Sequence, residues 1–195
     1  MTQRRTRVTR ARITLLIGGV RAGKSRKALD LAHTRGDGRG VLFVATAQAL
    51  DDEMRARIDA HRRERSADWD TLESPLDVAD DLRRGLSASS RYSVVIVDCL
   101  TLWVSNVLLS LPDDADVEAI VGARTRELLD VVQTFVTAHD NSAIIVTNEV
   151  GLGVVPATRL GRRYRDALGR ANQLVAAVAD EVTLMVAGLS MPLKS

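Results

Sequence analysis

The stretch Gly18-Gly19-Val20-Arg21-Ala22-Gly23-Lys24-Ser25 constrains this chain more than any other. It follows an unbroken apolar run at 13–17 and precedes a segment of helical spacing at 25–34. The pattern is G-x-x-x-x-G-K-[ST], in the strand, loop and helix setting that cradles phosphate. Glycines allow a tight turn in which successive amides converge on phosphate oxygens. The helix N-terminus adds a partial positive charge. In such a loop Lys24 reaches the terminal phosphates and the Ser25 hydroxyl binds Mg²⁺. All eight residues, Gly18 to Ser25, are therefore candidate nucleotide ligands. The glycine spacing is not that of a dinucleotide-binding turn, which disfavours a nicotinamide oxidoreductase.

Four more apolar runs follow, at 41–45, 93–97, 143–147 and 181–186. Several are apolar without alternation, as in parallel strands covered on both faces. Between them the spacing predicts helices over 51–65, 77–86, 101–111, 116–139 and 158–179. Alternating strands and helices predict an α/β fold, read as one domain over 13–195. The third run ends as Val94-Val95-Ile96-Val97-Asp98, an apolar strand closed by a carboxylate. Beside a phosphate loop, Asp98 is a candidate second ligand for Mg²⁺. The plainer reading of Asp98 is a turn or helix-capping residue.

Composition removes several alternatives. One cysteine, Cys99, and three scattered histidines exclude an intrachain disulfide and leave no cysteine-rich zinc site. No run approaches the roughly 20 apolar residues of a membrane span. A reducing, cytoplasmic setting is expected. Arginine outnumbers lysine 24 to 3, yet the net charge is only +2. Five arginines crowd residues 1–12, which are expected to form a solvated, disordered tail. A transit peptide and a nucleic-acid arm are the other readings of that tail. Aromatic residues make up only 3% of the chain, so bases would find few stacking platforms and no nucleic-acid partner is expected.

Three further stretches are more particular. One is Val44-Ala45-Thr46-Ala47-Gln48, followed by a helical segment from Asp51 to Arg62. Another is Asp98-Cys99-Leu100-Thr101-Leu102-Trp103-Val104-Ser105-Asn106. The third is Thr147-Asn148-Glu149-Val150-Gly151-Leu152-Gly153-Val154-Val155-Pro156, continued by Arg159, Arg163-Tyr164-Arg165-Asp166, Gly169 and Asn172-Gln173. With the loop, these resemble the bifunctional adenosylcobinamide kinase/adenosylcobinamide-phosphate guanylyltransferase family of cobalamin biosynthesis, in order and spacing from residue 13 to 188.

The resemblance implies a RecA-like P-loop NTPase domain, a mostly parallel sheet with helices on both faces, and a homotrimer. It implies two reactions. ATP or GTP phosphorylates the aminopropanol hydroxyl of adenosylcobinamide. A histidine then takes GMP from GTP and passes it to the cobinamide phosphate, giving adenosylcobinamide-GDP.

The family's R-I-x-x-H segment matches Arg57-Ile58-Asp59-Ala60-His61, which makes His61 the implied nucleophile; Lys24 of the phosphate loop is the other catalytic candidate. Met54, Ile58 and His61 share one face of a helix, so His61 is expected to continue an apolar stripe that turns inward. The bland reading of such a histidine is packing. By the same resemblance Ala45, Thr46, Ala47, Arg62, Arg63, Glu64, Arg65 and Glu73 contact nucleotide. Glu73 reads equally well as a surface carboxylate. Ala22 stands where the family often has serine, and 62–65 replaces a more glycine-containing stretch. The arginines at 159–170 are either a solvated helix face or contacts to phosphate. A kinase lacking guanylyl transfer, and an NTP-dependent nucleic-acid-binding module, are the competing functions.

Overall fold

The computed structural model describes residues 13–36, 38–49, 51–89 and 91–195; the basic segment over 1–12 lies outside them. The strands are β1 (Ile13–Gly18), β2 (Gly40–Ala45), β3 (Asp70–Glu73), β4 (Tyr92–Asp98), β5 (Ser142–Asn148), β6 (Glu181–Val186) and β7 (Leu189–Lys194). The helices are α1 (Lys24–Arg35), α2 (Asp52–Arg63), α3 (Val78–Ser87), α4 (Leu100–Ser110), α5 (Val117–Ala138) and α6 (Arg159–Val178). All five expected strands and all six expected helices form, each within about two residues of its expected bounds. β3 and β7 are additional.

The seven strands form one sheet in the order β3-β2-β4-β5-β1-β6-β7. Only β7 is antiparallel, pairing with β6 as a hairpin. Because side chains alternate along a strand, the central strands serve two cores. Leu16, Phe43, Val94, Ile96, Ile144 and Val146 pack toward α1 with Ala28, Leu29 and Ala32. Leu15, Val44, Val95, Val97 and Ile145 face the other way, among Trp103, Leu128 and Leu168 of α4, α5 and α6. Both faces are covered, which explains the unbroken apolar runs. Among the described residues no helix is long and apolar enough to cross a membrane.

The parallel strands direct their C-terminal ends to one edge of the sheet. Gly18, Ala45, Glu73, Asp98 and Asn148 all end strands there. In an open α/β sheet this edge is where ligands bind.

Candidate active site

Gly18 is the tightest point of the phosphate loop. A Cβ on it would lie 2.2 Å from the Met185 carbonyl oxygen, so only glycine lets β1 and β6 meet there. Gly23 caps α1 with φ 91°, a left-handed conformation that glycine adopts freely. Ala22 is buried, and its carbonyl accepts from the Gly188 amide at the β6–β7 turn.

Lys24 begins α1 and is 7% exposed. Its Nζ donates to the carbonyls of Gly18 (3.0 Å) and Gly19 (2.6 Å). Burial pulls its ammonium below the ordinary lysine range, opposed by Cys99 and Asp98. Asp98 shows the converse. Burial raises its carboxyl, while a hydrogen bond from Ser25 and the charges of His61, Arg65 and Lys24 hold it down in part. The Ser25 hydroxyl and the Asp98 carboxylate thus meet, and this pair of hard oxygens suits Mg²⁺. Among the described residues no group of three or more His, Cys, Asp or Glu could hold a metal. Cys99 follows Asp98 into the site, and burial pushes its thiol up to about 12.

These groups line a cleft of about 780 Å³ over the C-terminal edge of the sheet. Its other wall is α2. Asp51 caps that helix by accepting from the Met54 amide at 2.7 Å. His61, Arg62 and Arg63 fill its last turn, where cations are favoured. The expected inward stripe is only half realised. Met54 and Ile58 are half-buried, no residue of α2 is fully buried, and the His61 side chain is 55% exposed. α2 leans over a cleft rather than onto a core, so His61 opens into the cleft with its Nδ1 3.8 Å from the Glu64 carboxylate.

Two contacts tie this end of α2 to the sheet. Arg62 pairs with Glu73 at 2.5 Å, bridging to the end of β3. Arg65 lays its guanidinium 3.5 Å over the Phe43 ring, facing the charges of Asp98 and Glu73. The cleft lining carries seven cationic side chains against four acidic ones, a balance suited to a polyphosphate.

Most of the sequence-predicted site therefore converges. Val20, Arg21, Ala22, Gly23, Lys24, Ser25, Ala45, Ala47, His61, Arg62, Glu64, Arg65, Glu73 and Asp98 all line the cleft. Gly18 and Gly19 sit behind its lining and hold Lys24. Two residues fall outside. Arg63 is exposed beyond the lining. Thr46 is fully buried, and its hydroxyl is engaged by Cys99, donating to the carbonyl at 2.7 Å and accepting from the amide at 2.8 Å. It latches β2 to β4 while its neighbours Ala45 and Ala47 face the cleft. Arg162 and Arg163 are likewise occupied, donating to carbonyls of Pro156, Ala157 and Ala115. Their partners are loops rather than an open cationic face.

Sequence reasoning did not single out Asn148 or Thr101 as site residues. Both line the cleft, and the Asn148 amide donates to Thr101 Oγ1 at 2.7 Å. For Asn148 the signal was the one that found Asp98, a polar residue closing an apolar strand; Thr101 lies in the first turn of α4 and carried no such signal.

Comparison with known proteins agrees with this geometry. The family described as cobinamide kinase / cobinamide phosphate guanyltransferase matches residues 14–193. The "Bifunctional adenosylcobalamin biosynthesis protein CobP" of Pseudomonas aeruginosa is 44% identical over 180 residues, spanning 92% of this chain and 96% of its own. The corresponding CobU proteins of Escherichia coli and Salmonella typhimurium are 39% and 40% identical, each across 92% of this chain and 98% of theirs. Among solved structures, the ATPase domain of G40P superposes with a TM-score of 0.54 at 12% identity, over 90% of this chain and 69% of that one. The flagellar accessory protein FlaH of Methanocaldococcus jannaschii gives 0.51 at 15%, over 94% and 78%. At such identities these two speak for the fold alone, a P-loop NTPase of the RecA-like kind.

Proposed function

This chain belongs to the cobinamide kinase / cobinamide phosphate guanyltransferase family, and on that premise we propose how one cleft serves two transfers. The enzyme phosphorylates adenosylcobinamide and then guanylylates the product. The observation that carries our assignment of residues is that His61 opens onto the same cleft as Lys24, Ser25 and Asp98.

In the first step ATP or GTP lies with its phosphates in the loop. The substrate's hydroxyl oxygen bonds to the terminal phosphorus, and the bond to the bridging oxygen breaks. The nucleoside diphosphate leaves with that electron pair, and the hydroxyl proton goes to water. Lys24 is the charge that meets the transferring group. Ser25 and Asp98 would hold Mg²⁺, which supplies neutralisation of phosphate charge when bound. In the second step a ring nitrogen of His61 bonds to the α-phosphorus of GTP and pyrophosphate leaves. A phosphate oxygen of adenosylcobinamide phosphate then displaces the imidazole, giving adenosylcobinamide-GDP. The exposure of His61 supports this reading, since a nucleophile that serves two successive partners must be reachable.

A homotrimer in the cytoplasm is part of the proposal. Exposed Leu189, Met191 and Leu193 on β7 support self-association, because they lie on an unpaired sheet edge.

The test is intact mass. GTP and Mg²⁺ alone should add one GMP, in a phosphoramidate that acid cleaves and alkali spares. His61→Ala and His61→Asn should lose the adduct while still phosphorylating adenosylcobinamide. An adduct that persists in His61→Ala would move the nucleophile elsewhere. Its absence from the unaltered protein, with GTP bound, would leave a kinase alone.

A further inference from the structure

Among the described residues, four acidic side chains line the cleft: Asp59, Glu64, Glu73 and Asp98. Two are engaged, since Asp98 accepts from the Ser25 hydroxyl and Glu73 is paired with Arg62 at 2.5 Å. Asp59 stands two positions before His61 on α2, a spacing that turns the two side chains to different faces. Glu64 caps the C-terminus of α2 three residues after His61, so these two share a face. His61 Nδ1 lies 3.8 Å from the Glu64 carboxylate. That is ion-pair range, just beyond a hydrogen bond, and both side chains are half-exposed, so a small turn of either closes the gap. Among the described residues neither side chain makes a hydrogen bond or another ion pair. The turn that carries Glu64 is pinned on both sides. Arg62 before it is bound to Glu73 of β3, and Arg65 after it lies 3.5 Å over the Phe43 ring of β2. Both of those cations are therefore engaged elsewhere, and Arg63, adjacent to Glu64, lies outside the lining. The carboxylate is left to the histidine.

A histidine that attacks phosphorus needs one ring nitrogen free of its proton, and the partner of the other nitrogen decides which one that is. A carboxylate beside Nδ1 holds the proton there and leaves the lone pair on Nε2. It also opposes the positive charge that the ring acquires when Nε2 forms a new bond. We propose that Glu64 is a positioning residue for guanylyl transfer: it accepts from His61 Nδ1–H, presents Nε2 to the α-phosphorus of GTP and balances the charge of the guanylylated ring. This rests on the guanylyltransferase half of the function above. The Nε2 lone pair forms the nitrogen–phosphorus bond, the bond from the α-phosphorus to the bridging oxygen breaks, and pyrophosphate leaves with that electron pair. The proton stays on Nδ1 against Glu64 throughout. When the acceptor's phosphate oxygen displaces the ring, Nε2 recovers its pair and the neutral imidazole returns. Glu64 falls within 62–65, where this chain departs from a more glycine-containing pattern, so the device belongs to this chain rather than to the reaction in general.

Nitrogen-15 NMR of the protein labelled at histidine tests the contact without nucleotide. At about pH 8, where free imidazole is neutral, the His61 signals are those that vanish in His61→Ala. They should show the proton chiefly on Nδ1. Glu64→Ala should move it toward Nε2 and leave the signals of His33 and His139 in place, which also reports that the variant is folded. The second measurement is the single-turnover rate of GMP-adduct formation with GTP and Mg²⁺. Glu64→Ala should slow it roughly tenfold, as loss of a partner that orients a histidine does. Glu64→Gln should fall between, because its oxygen accepts the N–H but carries no charge. The same His61 tautomer in the unaltered protein and in Glu64→Ala would overturn the proposal. An adduct rate unchanged by Glu64→Ala would overturn it too, and an adduct that still depends on His61 would leave the guanylyl reading intact. If the unaltered protein formed no adduct, that reading would fall and this role for Glu64 with it.

Discussion

Lys24 is a buried cation whose only hydrogen-bond partners among the described residues are two carbonyls of its own loop. Lys24→Met keeps the buried stem and removes the charge. Turnover should drop on the order of 10²-fold or more, with the far-UV circular dichroism unchanged. Near-normal turnover would undo the phosphate-loop assignment. Asp98 gives a sharper test because its sign can be worked out. Burial raises its carboxyl, so the folded chain disfavours the ionised form. That penalty is absent below the ordinary value of 3.8, grows as pH rises, and is complete above the raised folded value. Asp98→Asn removes it. In EDTA at pH 7 the variant should melt higher than the parent, and the gap should close toward pH 4. Activity should fall, and part of it should return at high Mg²⁺. Identical melting at both pH values, with an unaltered Mg²⁺ response, would leave Asp98 a turn residue. Cys99 is predicted to be inert. With its thiol at about 12 rather than 9.0, the thiolate fraction at pH 8 drops on the order of 10³-fold. Ellman's reagent should label the native protein far more slowly than the urea-unfolded chain.

At the level of elements, β1 and β6 meet so closely at Gly18 that Gly18→Ala must push them apart or break their pairing. A loss of about 3 kcal/mol or more is expected, visible as a melting point lower by roughly 10 °C. A melting point within a degree or two of the parent would show that the hairpin yields easily. The central strands and all six helices were legible because their patterns are local: apolar runs for strands buried on both faces, helical spacing for the rest. β3 was not, because its four residues alternate between half-buried and exposed at the sheet edge. β7 was hidden by Pro192 and by complete exposure, both of which read as a tail but are tolerated on an edge strand. Strand order could not be read either, since it depends on which crossovers pack. In the site, the loop and Asp98 were legible from sequence, whereas the burial of Thr46 and the exposure of His61 follow from tertiary placement. His61 lies on a face that is apolar by count, and the helix bearing it finds a cleft to cover instead of a core.

Across the whole molecule, the exposed residues of β7 make a forecast about assembly. Met191→Asp together with Leu193→Asp should convert a trimer to monomers in light scattering after size exclusion, with secondary structure intact, since no residue of β7 is buried. A trimer that survives both changes would move the interface elsewhere. The separation of α2 from both cores has a different kind of consequence. The sheet and its packed helices carry the phosphate loop and Asp98, and they would fold much the same whatever α2 displayed. Selection can therefore act on His61 and its neighbours with little risk to the rest of the chain. A lineage that obtained guanylylated cobinamide by another route could shed the histidine and keep a working kinase. Genetic complementation should then resolve this single gene into two separable functions, with His61 alleles failing in one and Lys24 alleles failing in both.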